Sequence, residues 1–215
     1  MRNPWLDIPL DDYEGHMSLP SVGQSGMLGD QFERLIQQHS PASVAIMGCA
    51  GGNGLDRIVP GGPQRIVAVD INPRYIMETG DRYARRLPGL ELYCGDIQSE
   101  SLNFAPVDFA YAALILEYVD LPSSLATLRR NLRVGGALAV LLQLPHAALA
   151  PVSSSRYASL GALAPALELV PPARLRETAA ATGFGAQTSG TIRLPSGKEF
   201  WLGTFRALTA SPVID

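Results

Sequence analysis

Only two cysteines, Cys49 and Cys94, occur in 215 residues. That is too few for a disulfide framework, and neither belongs to a CxxC or Cys/His metal pattern. No stretch approaches ~18 uninterrupted apolar residues, which argues against a transmembrane helix. Charge is sparse, with 17% charged residues and a formal net charge of −3. Without a Lys/Arg-rich run, the basic face of a nucleic-acid binder is missing; "RYARR" at Arg82 to Arg86 reads as the solvated face of a helix. The opening "MRNPWLDIPLDDYEGH" is acidic and proline-punctuated, unlike a signal peptide's basic and then apolar profile. A cytoplasmic protein that engages neither membrane nor nucleic acid is the expectation. No internal repeat or low-complexity tract stands out.

What is present is an apolar composition of 47%, enough for one sizeable domain with its own core. Residues 1–23, with prolines at 4, 9 and 20, read as irregular. From Gly26 to His39 apolar residues recur at helical spacing until Ser40-Pro41 stops the pattern. An alternation follows. Short apolar runs at Ser43–Met47, Arg65–Val69, Leu90–Cys94, Val107–Ala112 and Ala137–Leu144 read as strands. Helices are expected around Leu55–Ile58, over Pro73–Leu87, and over Leu121–Leu132 with Gly135-Gly136 as its close. Continuous apolar runs alternating with amphipathic helices predict a parallel sheet covered on both faces. After a helix near Ala173–Thr182, two extended runs joined by Pro195-Ser196-Gly197 predict an antiparallel hairpin. The Pro/Ala/Ser-rich stretch Pro145 to Pro172 reads either as a helical excursion or as a cover over a site.

Ligands of open parallel α/β sheets bind at the carboxyl ends of strands, where strand order reverses. Four stretches fall at such ends. "GCAGGNG", Gly48 to Gly54, is a glycine-rich turn whose Gly48, Ala50 and Gly52 permit close backbone approach. The helix expected after it would offer N–H groups to an anion. Asp70 ends "RIVAVD", where a carboxylate can accept hydrogen bonds from both hydroxyls of a ribose; Asn72 is better placed to cap the next helix. Asp96 in "YCGDIQ" follows the third strand. "VDFAYAALILEYV" follows as the fourth.

In that order, these motifs resemble the class I S-adenosylmethionine-dependent methyltransferases, over about residues 42–208. The resemblance implies a Rossmann-like, doubly wound, mostly parallel seven-stranded sheet with an antiparallel C-terminal hairpin strand. It implies an N-terminal lid and helix over residues 1–41 and a cofactor-binding domain over residues 42–215. Gly48, Cys49, Ala50 and Gly52 would line the methionine part of S-adenosylmethionine. Asp70 would hold the ribose, Ile71 would pack on the adenine, and Asp96 and Ile97 would meet the adenine edge. Ala112 and Leu114 would approach the sulfonium. "DYEGHM", with Tyr13, His16 and Met17, would fold over the cofactor. Three departures from the family pattern stand out: Ile46 where an acidic residue is usual, Ala50 for a glycine, and Tyr118 where histidine is common. His16, Glu117 and Tyr118 are the acid–base candidates. Cys49 has no neighbouring base that would make it a nucleophile.

The leading expectation is direct methyl transfer to a small-molecule acceptor, leaving S-adenosylhomocysteine. A non-catalytic binder of the same cofactor, acting as sensor or partner subunit, is a second reading. A nicotinamide oxidoreductase is a third, although the turn reads G-x-x-G-G-x-G rather than G-x-G-x-x-G. Acceptor, methylated atom and oligomeric state are not legible at this level.

Overall fold

The computed structural model describes residues 3–209. Residues 1, 2 and 210–215, which belong to the expected lid and domain, lie outside the described residues. Seven strands form one sheet: β1 (Ser43–Met47), β2 (Arg65–Asp70), β3 (Leu90–Cys94), β4 (Val107–Ala113), β5 (Leu132–Gln143), β6 (Phe184–Arg193) and β7 (Glu199–Ala207). Their order is β3-β2-β1-β4-β5-β7-β6. Pairing is parallel from β3 through β5, whereas β7 runs antiparallel to β5 and β6 antiparallel to β7. The parallel strands β1 and β4 are buried almost throughout, as apolar runs covered on both faces must be. The helices are α1 (Leu10–Met17), α2 (Gln24–His39), α3 (Pro73–Tyr83), α4 (Leu121–Arg130) and α5 (Pro172–Ala181). Two apolar clusters cover the sheet faces. One joins α4 and α5 residues Leu125, Leu128 and Leu175 to Val67 and Val140; the other joins Phe32 and Leu35 of α2 to Ile46, Phe109 and Leu141. Among the described residues, no helix is long and apolar enough to cross a membrane.

Three local expectations need correction. The glycine turn does not open an α-helix: only a 3-10 turn, Leu55–Arg57, follows it. Gly52 and Gly54 both sit at φ +91, outside helical space, so no helix end stands there to meet an anion. Gly135-Gly136 lies inside β5, because α4 stops earlier at its cap Asn131. The ladder shifts register between Val107 and Phe109, which carries β5 past these glycines. The N-terminal stretch is also more ordered than expected. A 3-10 turn spans Pro4–Leu6, and α1 begins after Pro9 with Asp11 and Asp12 in its first turn, where the helix dipole favours them.

The start of α3 fastens this N-terminal strap to the sheet. The Asn72 side chain accepts from the Arg74 N–H, capping α3, and its Nδ2 donates to the Trp5 carbonyl at 2.8 Å. Arg74 donates to the Leu6 carbonyl and Tyr75 to that of Ile8. Asn72 is fully buried, so loss of its side chain leaves the Arg74 N–H and the Trp5 carbonyl without it. Asn72→Ala is expected to lower unfolding stability by about 1–3 kcal/mol, measured by chemical denaturation; an unchanged midpoint would show that the strap is held elsewhere.

Candidate active site

A cleft opens at the carboxyl ends of β1, β2 and β4, beside the point where strand order reverses. Asp70 ends β2 and is only 8% exposed. Its Oδ2 accepts the Ala50 backbone N–H at 2.9 Å, and its Oδ1 accepts that of Asn72 at 2.9 Å. Burial pushes the carboxyl pKa up, and these backbone bonds oppose the shift. Each oxygen retains a further lone pair.

The glycine turn is held from beneath. Gly48 and Cys49 both donate their N–H to the Val69 carbonyl, at 2.9 and 3.0 Å. Gly48 has φ +71, and a Cβ there would lie 2.9 Å from Ile115 Cδ1. Ala50 takes φ +47, the left-handed conformation that glycine adopts without cost. Ile46 is buried among Phe32, Leu28 and Met27 beneath α2, a setting in which a carboxylate would be desolvated.

The structure brings Tyr13, Gly48, Ala50, Asp70, Ile71, Asp96, Ile97, Leu114 and Tyr118 together on the cleft. Asp96 is engaged locally, accepting from the Gln98 backbone and side-chain amides. Cys49 lies buried below the turn, its thiol pKa pushed up by burial and by Asp70, so the neutral thiol is favoured. Gly52 faces α3 rather than the cleft: a Cβ there would lie 2.5 Å from the Tyr83 ring. Ala112 is fully buried in the core, while its neighbour Ala113 reaches the cleft.

Sequence reasoning missed Asn3, Trp5, Tyr75, Ile115 and Val119 on the same cleft. Trp5 packs edge-on against Tyr13 and Tyr118, with centroids 5.5 and 5.1 Å apart. A single tryptophan in a proline-broken stretch carries no periodicity, so the only available signal was its closeness to "DYEGHM".

His16 and Met17 line a second chamber, open to solvent. Trp5, Tyr13, Leu114 and Tyr118 border both spaces. Leu114 holds a left-handed φ of +56 at this boundary, a costly conformation for a bulky side chain. The stretch from Pro145 to Pro172 supplies much of the second chamber's wall and contains a 3-10 run, Ala158–Ala166. Ser155 bonds His16 Nδ1 at 2.8 Å, and Ser159 donates to Asp12 at 2.5 Å. α1 thus joins this stretch, while Glu14 pairs with Arg82 over the glycine turn.

Glu117 also lines the second chamber. Its Oε1 accepts the Gln143 N–H at 2.8 Å, and its Oε2 is buried without a partner. Burial pushes its pKa from 4.5 up to about 7, against the Gln143 N–H and its own backbone N–H.

These features define an α/β protein with a cleft at the carboxyl ends of its parallel strands and an adjoining chamber. Residues 46–140 match a family model described as a methyltransferase domain. No curated protein matches the sequence. Several solved structures are similar. The cyclase SpnF is 16% identical with TM-score 0.65, over 84% of this chain and 82% of that one. The N-methyltransferase NodS from Bradyrhizobium japonicum, in complex with S-adenosylhomocysteine, is 18% identical with TM-score 0.62, over 96% and 93%. A 1,6-didemethyltoxoflavin-N1-methyltransferase from Burkholderia thailandensis, with that substrate and S-adenosylhomocysteine bound, is 18% identical with TM-score 0.63, over 85% and 79%. At such identities the structural likeness is one of fold. Residues 46–140 thus match a methyltransferase domain within a fold shared with S-adenosylmethionine-dependent methyltransferases.

A raised folded pKa makes Glu117's contribution to stability complete below pH 4.5 and lost as pH rises through about 7. Relative to Glu117→Gln, the wild type should therefore lose on the order of 3 kcal/mol over that window. Denaturation midpoints across pH measure this; parallel curves for the two proteins would contradict it.

Proposed function

We propose that the protein methylates a small-molecule acceptor held in the second chamber, with S-adenosylmethionine in the cleft. The observation that carries this reading is the shared wall: Trp5, Tyr13, Leu114 and Tyr118 border both spaces, so two ligands would meet there.

The cleft's residues fit the cofactor. Asp70 is buried, fixed by two backbone N–H groups, and still has lone pairs for two ribose hydroxyls. Ile71 and Ile97 offer apolar walls to the adenine, and Asp96 an acceptor for its amino group. Gly48 and Ala50 line the methionine end, with Cys49 and Gly52 shaping the turn from behind. Leu114 and Ala113 stand nearest the second chamber, in place of the buried Ala112. Bound there, the cofactor supplies a methyl group already activated by its sulfonium. The protein's part is then alignment and exclusion of water.

Residues 1–41 comprise a lid segment and the helix α2, the lid being the part before α2. The strap places Trp5 and Tyr13 over the cleft, and α1 carries His16 and Met17 to the second chamber. Of the acid–base candidates, Glu117 is the strongest. It lines the second chamber, has an oxygen free to accept a proton, and its pKa near 7 suits a base at neutral pH. His16 is occupied by Ser155 and serves as a positioning group. Tyr118 belongs to the aromatic wall, burial having raised its pKa.

Calorimetry with S-adenosylhomocysteine and NAD side by side tests the cofactor assignment; the first should bind and the second should not. Asp70→Ala is expected to weaken S-adenosylhomocysteine binding by about 1–3 kcal/mol, with thermal unfolding confirming a folded variant. Undiminished affinity would remove Asp70 from the ribose. Removing residues 1–17 should leave a folded core that retains the ligand poorly, and full affinity would contradict the lid.

A further inference from the structure

The second chamber's polar groups are incompletely satisfied from within the chain, and what they lack describes the molecule they would hold. Glu117 is 3% exposed; Oε1 is committed to the Gln143 N–H, and Oε2 is buried with no donor. A buried acceptor in that state carries a desolvation penalty that an incoming N–H or O–H would relieve. Lys198, 5% exposed, lines the same chamber and donates from Nζ to the Pro151 carbonyl at 2.6 Å. An ammonium has three donors, so the others remain for a ligand oxygen. Gln143 connects the two groups. Its backbone N–H holds Glu117, and its side-chain amide donates to the same Pro151 carbonyl at 3.1 Å. His16 and Gln24 are also on the wall, and most of the remainder is aromatic or aliphatic, from Trp5, Tyr13, Tyr118, Leu160 and Leu163, which suits a flat apolar body.

We propose that the acceptor is a compact ring compound with an N–H or O–H donor, read by Glu117 Oε2, beside a carbonyl or oxyanion oxygen, read by Lys198 Nζ. This rests on the second chamber being the acceptor site. In the methyl-transfer step the donor atom X of the ring forms the X–CH3 bond as the cofactor's S–CH3 bond breaks. The X–H proton passes to Glu117 Oε2, leaving X-methylated product and S-adenosylhomocysteine.

Glu117→Gln inverts the recognition. Its carbonyl oxygen must stay on the Gln143 N–H, so its NH2 turns toward the ligand and a donor faces a donor. The probes are carbostyril and phthalimide, each against its N-methyl derivative, titrated calorimetrically into protein saturated with S-adenosylhomocysteine. The N–H member should bind at least about tenfold tighter than its N-methyl partner. Glu117→Gln should abolish that preference, and Lys198→Met should weaken both members of a pair alike while leaving the preference. S-adenosylhomocysteine affinity should be unchanged in both variants, which also reports that they are folded. Equal binding within each pair, a preference that survives Glu117→Gln, or no probe binding at all overturns the inference while leaving the cofactor assignment standing. Failure of S-adenosylhomocysteine itself to bind the wild type overturns both.

Discussion

The buried carboxylate of Asp70 sets the geometry on which the site depends. One oxygen holds the Ala50 N–H and the other the Asn72 N–H, so a single side chain fixes the glycine turn and the start of α3 relative to each other. Asn72 then caps α3 and anchors Trp5. Turn, helix and strap are therefore in register because one desolvated carboxylate is satisfied from two directions. Burying such a group is costly unless it is bonded, and two backbone donors offset that cost while leaving acceptor capacity on the cleft side. Thr79 adds a further tie, donating to the Ala50 carbonyl at 2.9 Å, which helps hold Ala50 in its left-handed conformation.

The parts of this arrangement that follow from local pattern were legible in the sequence. The inner parallel strands β1, β2 and β4 show as apolar runs because both sheet faces are covered there, whereas the half-buried edge strand β3 alternates as LELYC. The hairpin shows because Pro195-Ser196-Gly197 is turn chemistry, and Asn72 shows as a cap because it stands before a proline-started helix. Asp70 was legible for the same reason, as the acidic end of an apolar strand. Beyond that reach lay whatever depends on contacts distant in sequence. Trp5 comes to the cleft through Asn72, and Glu117 meets Gln143 across neighbouring strand ends. The glycine turn misled in one respect, since positive φ at Gly52 and Gly54 leaves no room for an α-helix. α1 was hidden by the prolines around it, and its place is fixed by Glu14 on Arg82 and by Asp12 and His16 on the stretch after β5.

The departures from the family pattern also acquire physical reasons. Ile46 belongs to the cluster beneath α2, so the fold uses that position for packing. Ala50 takes the backbone conformation that the usual glycine would take, stabilised by Asp70 and Thr79. Tyr118 completes the aromatic wall with Trp5 and Tyr13, between the cleft that holds Asp70 and a chamber with a carboxyl, an amide and an ammonium. Chemistry at the boundary needs little from the protein beyond alignment, dryness and a destination for a proton, and these residues are placed to supply all three.

Asp70 organises the turn and, in the proposed function, also accepts the ribose. A crystal structure of the protein with S-adenosylhomocysteine tests this most directly. The ribose hydroxyls should bond to Asp70 while it keeps the Ala50 and Asn72 N–H groups, with the thioether sulfur beside Leu114 at the mouth of the second chamber. A ribose bound away from Asp70, or a sulfur directed away from that chamber, would contradict it.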